Sequence, residues 1–302
     1  MTFDKMNPVQ KLYTKLTRTR WELGLIHDGL DGAFSDKQLI VDWIENPFKD
    51  RWFADPFILD VTEEYVYILA EEYRFSERKG RIAKLWVNRK SMVIERFKIL
   101  LETSTHLSFP SILRKNGKIY VYPESAYSGR LDLYQYDADS ESLVYQETIC
   151  DDVVWDSVIT DLFGEDLLFT ANKSDYYLDI YKWSPESSRY LPYITLQSPE
   201  KNSRMAGQFF KYNDEVYCPR QDCSHNYGGA TDICRVARDE NGFHFSLVKK
   251  LRSPHKTRKE ALHTFNEYKG LVVIDVKGYD YPIVGKLLKK SVLGIKRLLK
   301  QK

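Results

Sequence analysis

The sequence lacks the features that define several large classes of protein. It has four cysteines among 302 residues, far below the density of a disulfide-stabilised scaffold, and no two are spaced as Cys-x-x-Cys, so we expect reduced thiols. No stretch approaches the roughly 18 apolar residues that a membrane-spanning helix needs. With 45 basic and 43 acidic residues, the chain has no overall positive field to attract nucleic acid. We therefore expect no nucleic-acid partner.

Signals for export and for metal binding are also missing. Residues 1–20 are polar and basic and have no apolar core of the kind that a signal peptide needs. We therefore expect the protein to stay in the cytoplasm. A zinc site built from Cys218, Cys223 and His225 would have irregular spacing and no clear fourth ligand. The sequence predicts neither a metal nor a cofactor.

What the sequence does contain is a repeated pattern of paired strands. Aromatic residues make up 14% of the chain and include 21 tyrosines, a composition that favours β-structure. Five segments that each read as strand, turn and strand recur about every 50 residues; they begin near Asp55, Phe109, Trp155, Met205 and His263. The first four are each followed by a third strand with alternating apolar residues and by a fainter fourth strand. Four strands at this spacing are typical of one blade of a β-propeller.

The sequence therefore predicts an all-β, five-bladed β-propeller. The fifth blade is short of strands, and the N-terminal segment can supply one from residues 21–26 or 39–44. Such a strand would close the ring and remove exposed sheet edges. We place the propeller at residues 21–283, after the polar and basic segment at 1–20. The alternative is a β-sandwich or two separate sheet domains.

Residues 284–302 have a different composition. They contain seven basic residues and no acidic one, and their apolar residues fall on one face of a helix. A cationic amphipathic helix of this kind is typical of proteins that bind the surface of an anionic membrane. We therefore predict a peripheral protein at the inner face of the cytoplasmic membrane. The alternatives are a helix that packs on the propeller and a disordered tail.

Candidate site residues follow from the geometry of a propeller. The first strand of each blade begins at a central funnel, so equivalent positions of different blades converge there. At these positions the chain carries acids, bases and amides rather than small residues. The positions at the hairpin starts are Asp55, His106 with Phe109, Asp156, Arg204 with Ala206, and His263; those after the second strands are Glu71 with Glu72, Glu124, Asn172 with Lys173, Gln221 with Asp222, and Asp275 with Lys277.

This set suits sugar chemistry, because carboxylates serve acid–base steps and hydroxyl binding while Arg or Lys can hold a phosphate. We predict Asp55, Asp156 and Glu124 as catalytic residues. Asp55 has the clearest signal, since a carboxylate between apolar neighbours needs a compensating partner. The polar loop at residues 219–232 is expected to face the substrate. The predicted substrate-binding residues are Glu71, His106, Lys173, Arg204, Arg220, Gln221, Asp222, His225 and Tyr227. For any single residue, a turn cap or an ion pair between blades is the alternative role.

Two resemblances to known families extend this interpretation. The Asp-Pro pair at 55–56, the rhythm of five hairpins and the Asp in Trp155-Asp-Ser-Val resemble the five-bladed furanosidase, arabinanase and β-xylosidase glycosidases. This resemblance implies that Asp55 is a base and that Asp156 tunes the acid. The acid of those enzymes lies in a Glu-Gly-Pro motif, which the matching stretch at 205–208 lacks. A glycosidase built on this chain would need a relocated acid, such as Glu124 or Glu71.

The second resemblance covers roughly residues 20 to 280. FADPF at 53–57, HLSFPS at 106–111, YPES at 122–125, the stretch at 204–207 and RQDCSHNYG at 220–228 occur in this order. They resemble the N-terminal, propeller-like region of plant glucosamine inositolphosphorylceramide transferases and of bacterial relatives associated with surface polysaccharides. In the plant proteins a separate transferase domain follows. The resemblance implies a role connected with glycans.

Together these observations predict a glycosyltransferase-type protein of glycan biosynthesis. It would act on an activated sugar donor and on a glycan or glycolipid acceptor at the cytoplasmic face of the membrane. Asp55 or Asp156 would be the base toward the acceptor hydroxyl. The donor phosphates would lie near Arg204, Arg220 and Lys173. The alternatives are a glycosidase of the five-bladed type and a glycan-binding module without catalysis.

Overall fold

The computed structural model describes residues 7–171 and 174–300, and these form five four-stranded antiparallel sheets and three α-helices. The predicted five-bladed propeller is confirmed. The chain begins with α1 (Pro8–Leu16), β1 (Thr19–Ile26), α2 (Gly29–Phe34) and β2 (Val41–Trp43). Blade one follows with β3 (Arg51–Val61), β4 (Tyr65–Arg74), β5 (Gly80–Asn88) and β6 (Val93–Leu101).

The next three blades repeat this order from the centre outward. Blade two contains β7 (Ser108–Lys115), β8 (Lys118–Glu124), β9 (Leu131–Asp137) and β10 (Ser142–Cys150), with a short 3-10 helix at Ala126–Ser128. Blade three contains β11 (Trp155–Thr160), β12 (Leu167–Ala171), β13 (Tyr177–Ser184) and β14 (Arg189–Gln197). Blade four contains β15 (Phe210–Tyr212), β16 (Glu215–Asp222), β17 (Ala230–Asp239) and β18 (Gly242–Leu251).

The fifth blade combines the two ends of the chain. Its inner strands are β19 (Ala261–Tyr268) and β20 (Leu271–Tyr279), and its outer strands are β1 and β2, in the order β19-β20-β1-β2. Both candidate N-terminal segments therefore enter the sheet, where one alone had been expected. The strand β1 pairs along its whole length with β20, with Trp21 opposite Lys277. This pairing closes the ring without a free edge at the junction.

The turns between the first two strands explain why the hairpins form where the sequence predicts them. Asn116 (φ 54°) and Gly117 (φ 72°) both adopt left-handed backbone, as do Lys269 (φ 52°) and Gly270 (φ 78°). Two successive left-handed residues are the geometry of a type I′ turn, whose twist matches that of the flanking strands. Asparagine and glycine tolerate this conformation best.

The main core lies between neighbouring blades. The ring of Phe57 on β3 meets that of Phe109 on β7 edge to face, with centroids 5.1 Å apart. A second aromatic contact joins Phe169 of blade three to Phe209 of blade four at 4.8 Å. All four rings are buried, so each contributes roughly 1.5–3 kcal/mol of hydrophobic stabilisation.

The two terminal helices pack on one another. Asn7 and Gln10 form a capping box at the start of α1. The third helix, α3 (Pro282–Lys300), approaches the end of α1 so closely that a Cβ at Gly285 would lie 2.8 Å from the Leu16 carbonyl oxygen. Among the described residues, no helix combines the length and the apolar character that crossing a bilayer requires.

An ion-pair cluster fixes the start of α3 to the fifth blade. The Asp280 carboxylate, which precedes the helix, lies 2.6 Å from Arg18 Nε, 2.7 Å from Arg20 Nε and 3.4 Å from an Arg258 terminal nitrogen. The Asp280 side chain is mostly buried, so these pairs are screened less than surface pairs are.

Candidate functional site

A repeated irregularity places the candidate residues around the central space enclosed by the first strands, which we call the funnel. In blades one, two, three and five the pairing of the first two strands shifts register soon after the first strand begins, around Asp55, Phe109, Asp156 and His263. The first three of these adopt left-handed backbone, with φ of 51°, 44° and 48°. Non-glycine residues in this conformation are strained by roughly 1–3 kcal/mol and cluster at functional sites.

The register shift also explains the Asp-Pro pair. A bulged residue has no partner in the strand ladder, so Pro56 loses no hydrogen bond by lacking an N–H. The left-handed residue before it turns its backbone N–H toward the preceding blade. In blade one, the Asp55 N–H donates to Asp275 Oδ2 at 3.0 Å. In blade three, the Asp156 N–H donates to Glu124 Oε2 at 2.8 Å. Carboxylates in the funnel therefore connect successive blades.

The first cluster in the funnel contains Asp55, His263 and Asp275. His263 Nδ1 lies 2.7 Å from Asp275 Oδ1, and His263 Nε2 lies 3.2 Å from Asp55 Oδ1. The other oxygen of Asp55 accepts the N–H of Phe109 at 3.1 Å. The Trp21 ring stacks on the imidazole with centroids 3.9 Å apart. The imidazole is thus held between two carboxylates and one aromatic face.

The second cluster contains Asp156, Glu124, Arg204 and Gln221. Asp156 Oδ2 accepts from Arg204 Nε at 2.6 Å and from Gln221 Nε2 at 2.9 Å. A terminal nitrogen of Arg204 lies 4.0 Å from Glu124 Oε2. Gln221 also donates to the Met205 carbonyl at 2.9 Å. Asp156 is therefore a paired carboxylate, while Glu124 accepts a backbone N–H with one oxygen.

Two aromatic rings flank this second cluster. The Arg204 guanidinium carbon lies 5.1 Å from the centroid of the Trp155 ring and 5.2 Å from that of Tyr227. Both distances are within cation–π range. The Tyr227 ring also meets His263 edge to face at 5.6 Å, which links the two clusters. Tyr227 is 48% exposed and forms part of the accessible rim of the funnel.

A third pair lies on the blade-one side. His106 Nε2 is 3.2 Å from Glu71 Oε1, and His106 Nδ1 accepts the N–H of Gly80 at 2.9 Å. Because Nδ1 accepts this bond, the ring proton of a neutral imidazole lies on Nε2, the nitrogen that faces the Glu71 carboxylate. The bond to Glu71 raises the pKa of His106, although partial burial opposes the charge.

Burial and mutual repulsion shift the pKa values of two carboxyl groups far from their usual range. Burial raises the pKa of Asp55 to about 8; His263 opposes this shift, while Glu71, Asp275 and Asp156 add to it. Burial, followed by the charge of Asp156, raises the pKa of Glu124 to about 8. Both groups therefore keep a proton to a higher pH than an exposed carboxyl group does.

The basic partners in the funnel are shifted toward their charged forms. Burial lowers the pKa of His263, but the carboxylates of Asp275 and Asp55 outweigh it and raise the pKa overall. Arg204 is likewise held in its charged form: burial opposes the charge, and Asp156 raises the pKa of the guanidinium. Pairing of these cations with the carboxylates lowers the cost of burying so many ionisable groups.

Depth separates the candidate residues into two groups. Asp55 and Asp156 are only 5% and 3% exposed. The side chains of Glu124 and His106 are 15% and 35% exposed, and Tyr227 is more open still. Glu124, His106 and Tyr227 are therefore the more accessible members of the set. A protonated Glu124 can donate a hydrogen bond or a proton, and its ionised form can accept a proton from a hydroxyl.

The structure brings together most of the predicted site residues. Those that converge on the funnel are Asp55, Glu71, His106, Glu124, Asp156, Arg204, Gln221 and Tyr227. Arg220 does not join them, because it neighbours Gln221 on β16 and therefore faces the other side of the sheet. Its guanidinium lies over the Phe245 ring at 4.9 Å. Lys173 lies outside the described residues.

Asp222 and His225 lie at a separate surface. Asp222 pairs with Lys250 at 2.6 Å, and although partial burial opposes it, this bond helps lower the pKa of Asp222 to about 2. Together with the exposed His225, both residues line a cavity of about 460 Å³. The polar loop at 219–232 is thus divided: Gln221 and Tyr227 reach the funnel, and Asp222 and His225 do not.

Four residues of the funnel were not assigned a role from the sequence. His263 and Asp275 were candidates through their equivalent blade positions, and that position is the signal that marks them. Lys277 shares the signal; its ammonium lies 5.0 Å from the Trp21 ring, and burial lowers its pKa. No sequence signal marks Trp21, since it arrives from the other end of the chain.

One group among the described residues could hold a metal ion. Asp55, His263 and Asp275 offer ligand atoms that all lie within 4.8 Å of one another. His263 Nδ1 is bonded to Asp275 Oδ1, and His263 Nε2 faces Asp55 Oδ1 at 3.2 Å, so an ion would have to replace these contacts. The disfavoured zinc alternative does not form a cluster in the described part of the chain. Its Cys223 sulfur accepts the N–H of Gly228 at 3.3 Å, and its His225 is exposed.

Comparison with known proteins identifies the family. Residues 41–263 match the family described as glucosamine inositolphosphorylceramide transferase 1, N-terminal. The chain belongs to this family. It is 28% identical over 198 residues to the glucosamine inositolphosphorylceramide transferase 1 of Arabidopsis thaliana, covering 62% of this chain and 26% of that protein. For the protein of the same name from Oryza sativa subsp. japonica, the identity is 23% over 206 residues, covering 64% and 27%.

Membership of this family confirms the resemblance that the sequence motifs indicated. The chain spans about a quarter of the length of these relatives. The match therefore concerns one region of a longer protein.

Solved structures with a similar fold are five-bladed glycosidases. A GH43 β-xylosidase/α-arabinofuranosidase from a compost microbial metagenome gives a TM-score of 0.50 at 14% identity, covering 75% of this chain and 86% of that chain. The GH43_1 enzyme from Xanthomonas citri complexed with xylose gives 0.51 at 12% identity, covering 77% and 88%. At these identities the likeness establishes the propeller fold alone.

Proposed function

We propose that the funnel binds a sugar and that the protein takes part in glycosyl transfer from an activated donor to a lipid-linked or polysaccharide acceptor. One observation carries this proposal: two carboxyl groups with pKa values raised to about 8, Asp55 and Glu124, converge beside aromatic rings in a chain of this family. Carboxyls of raised pKa next to exposed aromatic rings suit both hydroxyl recognition and proton transfer.

In this proposal Glu124 is the group that contacts the acceptor. The acceptor oxygen attacks the anomeric carbon of the donor, the bond from that carbon to the phosphate oxygen breaks, and the acceptor proton passes to Glu124. Glu124 is favoured over Asp55 and Asp156 because its side chain is more accessible than theirs. Its ionised form, which accepts the proton, becomes predominant above about pH 8.

The deeper carboxylates would act as positioning residues. Asp156 orients Arg204 through the 2.6 Å ion pair, and Asp55 stands between His263 and the N–H of Phe109. Arg204 remains a candidate partner for the donor phosphate, because its terminal nitrogens approach Asp175 and Glu124 only to 3.9 Å and 4.0 Å, which leaves those contacts loose. The position of Arg220 beside Phe245 does not favour such a role.

Membrane attachment through α3 belongs to the same proposal. The helix has no acid in its first turn, and Ile283 and Leu287 are 77% and 61% exposed. Exposed apolar residues among lysines suit the interface of an anionic membrane. Attachment at the cytoplasmic face would bring the funnel close to a lipid-linked acceptor.

The test is a ligand screen by thermal shift followed by an assay of transfer. The screen uses nucleotide sugars and polyprenyl-phosphate sugars with the wild type, Glu124→Gln and the control Glu147→Gln. Glu147 lies in the same blade, on β10, 43% exposed and 3.9 Å from Arg189. A ligand at about 100 times its Kd stabilises the folded state by about 2.7 kcal/mol. We expect this stabilisation in the wild type and the control, and its loss in Glu124→Gln.

The transfer assay then separates the alternatives. Incubation of the stabilising donor with lipid-linked acceptors should give a glycosylated product by mass spectrometry, with turnover abolished in Glu124→Gln. Binding without turnover on any acceptor would instead favour a glycan-binding module. If no sugar ligand stabilises the wild type, the funnel is not a sugar site.

A second candidate function is a glycosidase, which the raised pKa of Glu124 favours. A carboxyl that holds its proton at neutral pH can act as the general acid toward a glycosidic oxygen. Release of aryl alcohol from aryl furanosides by the wild type, and its loss in Glu124→Gln, would select this function over transfer.

A further inference from the structure

We propose that a groove beside the funnel binds the phosphate head group of a lipid. The groove lies between α1, blade one and α3 and has a volume of about 830 Å³. Its aromatic wall is formed by Trp52, Tyr73 and Phe75. This inference adds a lipid site to the proposed function. The role of that lipid as the acceptor rests on the proposed function.

The charge of the groove is of one sign. Five basic side chains line it and no acidic side chain does, within the part of the chain that the structure describes; they are Lys11, Lys15, Arg18, Arg78 and Lys289. Arg18 also pairs with Asp280, which lies outside the lining. The guanidinium of Arg18 lies 4.7 Å from the Phe75 ring, which places a cation directly against the aromatic wall. A phosphate is the ligand class that such an all-cationic lining complements.

Apolar side chains surround the same groove. Val9 and Leu12 on α1 are 76% and 56% exposed, and Leu12 lines the groove itself. On the neighbouring helix α3, Ile283 and Leu287 are similarly exposed. Large apolar residues in this number on two adjacent helices indicate contact with an apolar phase rather than with water alone. A ligand with a phosphate head and an apolar tail matches both features.

The groove opens at the same end of the propeller as the funnel. Trp52, at the start of β3, lies three positions before Asp55 and stacks on Tyr73 with ring centroids 4.7 Å apart. Tyr73 follows Glu71 on β4, and the charge of Glu71 contributes to raising the pKa of Tyr73, after burial. The aromatic rings of the groove and the acids of the funnel therefore share the strands β3 and β4.

The geometry favours a lipid over a nucleotide. The rings of Trp52 and Tyr73 are nearly parallel, with an interplanar angle of 4°, and stack directly on one another. A nucleobase therefore cannot enter between them. Exposed Leu12 at the edge of the groove offers contact to an acyl or prenyl chain.

The experiment measures binding of a water-soluble lipid to the full chain by isothermal titration calorimetry, without any sugar. The probe is monomeric dihexanoylphosphatidic acid, compared with inorganic phosphate and with a nucleoside diphosphate. The variants Lys15→Glu and Lys289→Glu reverse one cation on each helix. The matched control is Lys290→Glu, on α3 next to Lys289 but outside the groove lining. Thermal melting verifies that each variant is folded.

We expect Lys15→Glu and Lys289→Glu each to weaken binding by about tenfold, and Lys290→Glu to change it by less than about twofold. Inorganic phosphate should bind far more weakly than the lipid. Equal losses in Lys289→Glu and Lys290→Glu, or no loss in either, would overturn the site. Tighter binding of the nucleoside diphosphate than of the lipid, lost in Lys289→Glu, would reassign the groove to the donor. Glu124→Gln should keep lipid binding, so that a failure of the sugar site and a failure of the groove are distinguishable.

Discussion

The protonation of Asp55 gives the sharpest prediction from this structure. The variant Asp55→Asn removes the ionisable group and keeps its shape. The amide oxygen can still accept the N–H of Phe109, and the amide nitrogen takes the position facing His263 Nε2, where Asp55 makes contacts of 3.1 Å and 3.2 Å. The difference in stability between variant and wild type therefore reports the ionisation of Asp55.

The sign and size follow from linkage. The folded-state pKa of Asp55 is raised from 3.8 to about 8, so the folded protein binds more protons than the unfolded chain between these values. The contribution of Asp55 to the free energy of unfolding is fully present below about pH 4. It is lost as the pH rises to about 8, by at most about 1.4 kcal/mol per pH unit. Ionisation of Asp55 beside the imidazolium of His263 offsets part of this loss. We expect Asp55→Asn to gain about 2–4 kcal/mol relative to the wild type between about pH 5 and about pH 8.

Urea unfolding at a series of pH values measures this difference. The matched control is Asp60→Asn on the same strand, since Asp60 is half exposed, pairs with Lys269, and has a lowered pKa. Asp60 is ionised throughout this range, so its variant should show a difference that does not change with pH. A stability gain of Asp55→Asn that stays constant or shrinks with rising pH would refute the argument, because Asp55 would then be ionised already at about pH 5.

Two further predictions concern packing in the funnel and between the helices. Arg204→Met leaves the buried Asp156 with Gln221 as its remaining side-chain partner. We expect this variant to destabilise the fold by about 3–5 kcal/mol in urea unfolding. The control is Arg235→Met, which breaks the exposed pair of Arg235 with Glu215 and should change stability by less than about 1 kcal/mol. Equal effects would show that Asp156 does not depend on Arg204. In the second prediction, Gly285→Val places a side chain against the Leu16 carbonyl and should separate α3 from α1. Trypsin should then cleave at Lys286 faster than in the control Ser291→Val, whose substitution is at an exposed position. Unchanged cleavage would contradict the close contact.

The blade pattern was predictable from the sequence because each hairpin carries its own local signals. Asn116 and Gly117 mark a tight turn whatever surrounds them, and both adopt the left-handed backbone that such a turn needs. Closure of the ring was predictable because an incomplete fifth blade would leave an edge. The use of both N-terminal segments, and the capped helix α1 within the polar residues 1–20, depended on packing between distant parts of the chain.

The site was predictable in its position and only partly in its members. Neighbouring residues of a strand point to opposite faces, so Gln221 and Arg220 could not both enter the funnel, and composition alone did not say which one does. The bulge at Asp55 shifts the pairing register of β3 with β4, and this register decides which side chains lie next to each other. His263 and Asp275 could not be ranked above their neighbours, since their bonds to Asp55 join residues more than two hundred positions apart in the chain.

The most direct test of the account is a crystal structure of the protein with the sugar donor that stabilises it. The account predicts the sugar ring beside Tyr227 and Trp155, with hydroxyls within hydrogen-bond distance of Glu124 and His106. A sugar bound instead in the cavity beside Asp222, His225 and Lys250 would contradict it, since the carboxylates of the funnel would then serve only to join the blades.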